Sequence, residues 1–354
     1  MSQNTNRPRA RRTFSAFGEV RKMPSEYEIV THGQNWTTRQ NRSSAFEQNP
    51  SSPANLWFLT YRDQSPLQAE DWEQFREPDS LTYRMYVNAQ AESESKIHGV
   101  LEEYAELGAD RRFAPGWVEL LGTLYTPSRY AVHGFQQIEA YVGYLAPTSY
   151  ITNPAGLSTA DFLRRVTTIA YRTRELQVAH PESGIGSDRE RKHWQTGAGW
   201  QATRKAVEEA LATYDWGEAF TALNLVLLPT LDDVLTRQFG EVALANGDNL
   251  SWLLQSFLDA DNQRRNRWSH AVATFAIGQQ PASRGAIEKW IDKWAPIADD
   301  AAASLGTLLE TLPESPRSAG DVLVGARAAR EVFTGTVLDD ADRAADGAAD
   351  KALA

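Results

Sequence analysis

The sequence predicts an all-α protein: a bundle of two helical hairpins joined by a long crossover, with an extended N-terminal arm in front. Three observations lead there. Apolar residues recur at helical spacing along the chain, and no segment carries the alternation of a half-buried strand. Short loops join the helices within each pair, while a long segment with its own helix separates the pairs. Finally, Asp161-x-x-Arg164-Arg165 and Asp261-x-x-Arg264-Arg265 repeat at an offset of 100 positions, each on the second helix of its pair.

Residues 1–60 are rich in Asn, Ser, Gln, Arg and Pro, with scattered aromatics (Tyr27, Trp36, Trp57, Phe58). Without periodicity such a stretch cannot bury itself, so it is expected to be an arm laid on another surface. Ser65-Pro66 is a cap followed by a first helical residue, opening a short helix to Phe75, and a longer helix follows over 81–107. Thr126-Pro127 repeats that start signal for a helix to 144, and Ala146-Pro147 ends or kinks it. The second main helix covers 157–178, with Phe162, Val166, Ile169 and Ala170 at helical spacing. Gly184, Gly186 and Ser187 break the chain before a polar helix over 188–213. The third main helix runs over 216–239, stopped by Gly240, and the fourth over 249–277. Pro281 opens further helices to about 335, and the Ala- and Asp-rich tail, 336–354, is expected to be disordered. The helical domain is thus 61–335.

Two hairpins with one long crossover is the ferritin-like arrangement rather than a simple up-and-down bundle. Di-iron bundles of that kind carry Glu-x-x-His on two helices, because residues three apart share a face and aim at one metal. Both places here read Asp-x-x-Arg. A guanidinium stays protonated and only donates, so it cannot ligate a cation. The expectation is a bundle with no metal and no catalytic residue of its own. Asp161, Arg164, Arg165, Asp261, Arg264 and Arg265 would form ion pairs that brace the hairpins where iron otherwise sits. The bland alternative is that these arginines point to solvent, where such pairs add only about 0.2–0.5 kcal/mol.

Composition narrows the rest. The 354 residues are 42% hydrophobic, enough for a full core, and the net charge of −10 argues against nucleic acid as a main partner. The absence of cysteine excludes disulfides, iron–sulfur clusters and thiolate zinc sites, and a reducing cytoplasm fits. No apolar run approaches the ~20 residues of a membrane helix. Most of the eleven tryptophans are expected in the core. One genuine Glu-x-x-His exists, Glu190 to His193, but its neighbours are charged all round and a solvated helix start is expected. His32, His98, His133, His180 and His270 are scattered, although His133 and His270 could face the bundle. No Gly-x-Ser-x-Gly elbow, Walker loop or Gly-x-Gly-x-x-Gly fingerprint occurs.

Several stretches resemble the small (β) hydroxylase subunits of bacterial multicomponent di-iron monooxygenases. They are PSEYEIV at 24–30, SPLQAEDW at 65–72 with Phe75, and APTSYITN at 146–153. The others are Ala160-Asp161 with LRR at 163–165, and IAYRTREL at 169–176. The opening RTFSAFGEVRKMP at 12–24 is most similar to actinobacterial propane monooxygenases, with tetrahydrofuran monooxygenases as near relatives and the toluene and phenol enzymes as further alternatives. The resemblance implies a dimer of heteromers whose large (α) subunit holds the di-iron centre and hydroxylates a small hydrocarbon. It implies a reductase with FAD and a 2Fe–2S cluster that draws on NADH, and a small coupling protein. This chain would be the non-catalytic copy of the fold. The readings left open are a self-sufficient di-iron protein and a helical scaffold without oxygen chemistry.

Overall fold

The computed structural model describes residues 25–31, 53–312 and 317–353. Among them no strand occurs, and the regular elements are all helical. A short α1 (Glu26–Thr31) buries Tyr27 against Tyr150, the ring centroids 5.8 Å apart. Then α2 (Pro53–Phe58) continues through a wider π turn to Asp63. The rest of the expected arm, 1–24 and 32–52, lies outside the described residues. Residues 53–60, however, are helix rather than arm, with Trp57 and Phe58 packed on the main core.

The Ser65-Pro66 signal does not start a helix, and only the short turn Trp72–Gln74 forms in that stretch. Tertiary partners take its groups instead. Ser65 Oγ donates to Asp215 Oδ1 at 2.8 Å and accepts from the amides of Leu67 and Gly217, both at 3.3 Å. A Cβ on Gly217 would sit 2.5 Å from Leu67 Cβ, 2.7 Å from Ser65 Oγ and 2.9 Å from Trp290. Three rigidly held neighbours leave no room to relax. Gly217→Ala is therefore expected to destabilise the fold by about 1–3 kcal/mol, measured as a shift in urea midpoint at unchanged m-value.

The bundle follows. Helix α3 (Tyr83–Glu106) is capped by Thr82, whose hydroxyl accepts from the Met85 amide. Helix α4 (Pro115–Leu120) starts with proline in its first turn and passes through a π turn to Tyr125, in a segment for which the sequence signals predict no helix. The first hairpin is α5 (Ser128–Leu145) and α6 (Ser149–Ala179). α6 begins earlier than its apolar spacing suggests, because Thr148 caps it; Pro154 lies in the second turn, where its missing amide removes a single backbone bond. The crossover holds two helices rather than one, α7 (Ser187–Thr196) and α8 (Ala198–Leu211), broken at Gly197.

The second hairpin is α9 (Trp216–Ala245) and α10 (Asn249–Gln279). Gly240 does not stop α9: it faces Trp252 and Gln255 of α10, and the helix ends at Asn246 and Gly247, where φ is +77°. α9 is long and apolar enough to cross a membrane, but 94% of its most apolar window is buried, which makes it the core helix of the bundle. Next come α11 (Ala282–Glu310) and α12 (Ala319–Leu353). The boundary at 335 is corrected: α12 runs on as helix, and Val337 and Ala341 are buried in the main core. Among the described residues seven of the ten tryptophans are buried, as the core reading expects.

Candidate functional site

The second helices of the two hairpins, α6 and α10, run side by side, and each presents its motif to the other. Spacing of three residues puts Asp161 and Arg164 on one face of α6, and Asp261 and Arg264 on one face of α10. The pairing is crossed. Arg164 Nη2 bonds Asp261 Oδ2, and Arg264 Nη2 bonds Asp161 Oδ2 and also lies 3.0 Å from Asp261 Oδ1.

α3 closes this cluster from above. Tyr86 donates to Asp161 Oδ1 at 2.8 Å, and the Gln90 amide reaches both aspartates, at 3.1 Å and 3.0 Å. Arg164 also reaches Ser93 and Glu94 of the same helix. Burial, then the Asp161 charge, pushes the Tyr86 phenol above its ordinary range, so it stays a donor. Burial likewise raises the Asp161 carboxyl, against the pull of Arg264 and the Tyr86 bond.

The next residue in each motif turns inward to α9. Arg165 Nη1 donates to Asp232 Oδ1 at 2.7 Å, and Arg265 Nη2 donates to Asp232 Oδ2. Thr236 and Asn262 complete the set, and the Arg265 guanidinium lies 5.4 Å from the Phe162 ring centroid. Arg165 and Arg265 are each 4% exposed and Asp232 is 7% exposed, so this triad is the driest part of the network. The six residues singled out in the sequence therefore meet in two adjoining layers. Sequence reasoning missed Asp232, Tyr86 and Gln90. For Asp232 a signal existed, a charged Asp-Asp pair in an otherwise apolar helix.

Iron does not fit here. Asp161 Oδ1 and Oδ2 accept from Tyr86, Gln90 and Arg264, while Asp261 Oδ1 and Oδ2 accept from Gln90, Arg264 and Arg164. All four oxygens point at donors, and the arginines have no lone pair to offer. Among the described residues no three His, Asp or Glu side chains converge as a metal-holding group. No residue of α5 bonds to either layer among those contacts.

The remaining candidates stay apart. Glu190 is not the solvated residue its charged neighbours suggest: it is fully buried and ion-paired with Arg129. His193 is approached by Arg189 at 3.4 Å, and burial lowers its pKa. His133 is exposed beside Gln137, and His270 pairs with Asp340 of α12 at 3.0 Å. His180 lies against the Asp110 carbonyl at 2.7 Å.

A family model described as methane/phenol/alkene hydroxylase matches residues 57–280. The chain belongs to the methane/phenol/alkene hydroxylase family. Over 300 residues it is 39% identical to the hydroxylase component subunit beta of the toluene-4-monooxygenase system of Ectopseudomonas mendocina, covering 85% of this chain and 91% of that one. The small hydroxylase subunit of propane 2-monooxygenase from Gordonia sp. (strain TY-5) is 22% identical over 253 residues, 69% of this chain and 67% of that one. A solved structure of toluene 4-monooxygenase with toluene bound in its resting active site superposes with TM-score 0.78 at 39% identity, over 84% of this chain and 97% of that one. Phenol hydroxylase from Pseudomonas sp. OX1, at 19% identity and TM-score 0.73, shares the fold over 89% of this chain and 91% of that one. Within this hydroxylase family the chain is a small subunit, so the resemblance read from its motifs holds at that level. Identity with the toluene subunit exceeds identity with the propane subunit to which the opening segment pointed.

Proposed function

We propose that this chain is the non-catalytic β subunit of a hydroxylase component, and that its bundle holds the helices of an iron-bearing large subunit in register during O2-dependent hydroxylation. The observation that carries this reading is the saturation of both motif aspartates by guanidinium, phenol and amide donors, which leaves no ligand set. An interior locked by ion pairs suits a subunit whose contribution is rigidity, since small misplacements of reacting groups are costly. The working complex would be a cytoplasmic dimer of heteromers with di-iron in the large subunit. A reductase carrying FAD and a 2Fe–2S cluster would supply electrons from NADH, and a coupling protein would gate the reaction. The substrate class is a small hydrocarbon, and the 39% identity favours an aromatic ring over propane or a cyclic ether.

Iron analysis tests this directly. The chain purified alone after supply of ferrous iron is expected to hold none, and a complex co-expressed with the large subunit is expected to carry all its iron on that partner. Stoichiometric iron in the isolated chain would overturn the reading. Deleting residues 1–60 is expected to lower the yield of co-purified complex before it changes turnover per iron; full co-purification of the truncated chain would rule out a role for this segment in assembly.

A further inference from the structure

A second buried polar pair lies between the first helices of the two hairpins. Glu139 of α5 and Asn224 of α9 are both 0% exposed, and Asn224 Nδ2 donates to Glu139 Oε2 at 2.9 Å. The other oxygen of each side chain, Glu139 Oε1 and Asn224 Oδ1, is buried with no hydrogen-bond partner among the described residues. Two orphaned acceptors on groups already joined at their other ends are an expensive arrangement, each missing bond carrying a desolvation penalty. A single proton on Glu139 Oε1 removes both faults. The acid O–H then donates to Asn224 Oδ1, and the carboxyl and carboxamide close into a reciprocal pair in which each of the four heteroatoms has a partner.

We propose that Glu139 is a proton-binding site: the residue is held as a neutral carboxylic acid in a two-point pair with Asn224 that ties α5 to α9. Where di-iron bundles place a carboxylate on each of these helices, and neutralise them with metal, this chain keeps one carboxyl, replaces the other with an amide, and neutralises with a proton. The surroundings agree. Burial pushes the Glu139 carboxyl up to about 7, and the Asn224 bond and the positive field of Arg265 offset only part of that. Among the described residues Arg265, on α10, is the one charged group that acts on it, and its guanidinium is engaged with Asp232 and Asn262. No charged residue of α6, α8 or α9 shifts it.

The sign of the pH effect follows. The folded-state pKa lies above the ordinary carboxylate value of about 4.5, so this contribution to stability is complete below about 4.5, falls progressively as pH rises from there, and is gone once pH has passed about 7. The test is infrared spectroscopy of the full-length chain at about pH 4 and about pH 8.5, on either side of the two carboxyl values, with melting temperatures at both. The carbonyl band of a protonated carboxyl is expected at the lower pH, to fade at the higher, and to be absent from Glu139→Gln. A glutamine side chain there mimics the neutral acid without ionising, so this variant is expected to match the wild type in acid and to melt higher in base. An unchanged band in Glu139→Gln, or an equal loss of melting temperature at both pH values, overturns the proposal. Asn224→Ala keeps the acid and removes its partner. It is expected to shift the band to the higher frequency of an unbonded acid, and an unshifted band would likewise overturn the pairing.

Discussion

Asp232→Ala is expected to cost about 3–5 kcal/mol of folding stability, the largest single loss in the network. Asp232 is shared by Arg165 and Arg265, both nearly free of solvent, and it accepts one bond from each. Its removal strands two buried cations at once. Thr236 and Asn262 remain as neutral acceptors, at 3.3 Å and 3.1 Å, and they cannot offset the charge. Equilibrium unfolding in urea measures the loss, and Asp232→Asn separates charge from shape. The asparagine variant is expected to fall close to alanine, because what the arginines lose is a negative partner. Apolar replacement of all three residues together is expected to regain most of the stability, since a packed apolar set avoids the desolvation cost of the ions. A loss below about 1 kcal/mol for Asp232→Ala would mean that solvent reaches the arginines and that the triad is no brace.

The hairpins were legible because their signals are local. Periodicity marks α5, α6, α9 and α10, and the repeat of Asp-x-x-Arg-Arg gives the relation between the second helices. The errors share one cause, a tertiary contact that takes over a local signal. Ser65 has the chemistry of a helix cap, but its hydroxyl bonds Asp215 and Gly217 across the fold. Gly240 has the chemistry of a helix stop, but it is the point where α9 and α10 approach, and the stop passes to Gly247. Glu190 sits among charges, yet it is buried in an ion pair with Arg129. The tail beyond 335 has weak apolar content, but Val337 and Ala341 fall on the face that meets the core. In the site, the motif residues could be named from spacing. Tyr86 and Gln90 could not, because which helix lies over the motifs is a property of the packed bundle; Asp232 carried a signal, the Asp232-Asp233 pair in an apolar helix, but its partners lie on two other helices.

The crossed layer makes a second, distinct prediction. Asp161→Ala removes the acceptor of Arg264, Tyr86 and Gln90, and Asp261→Ala removes that of Arg164, Arg264 and Gln90. The side chains concerned are 8–14% exposed, and each arginine keeps one acidic neighbour, Glu94 for Arg164 and the surviving aspartate for Arg264. Losses of about 3 kcal/mol are expected, at the lower end of the range for a broken buried pair and below the loss at Asp232. A double-mutant cycle between Asp161→Ala and Arg264→Ala is expected to return a coupling of about 0.5–3 kcal/mol, with a comparable value for Asp261 and Arg164. The crossed pairing adds a sharper condition. If the two crossed pairs form one brace, the cycle between Asp161 and Arg164, three residues apart on one helix, should give the weaker coupling. Each arginine works chiefly on the other hairpin. Strong coupling within a helix and none across would leave two independent surface pairs, and the hairpins would have to be held in register by apolar packing alone.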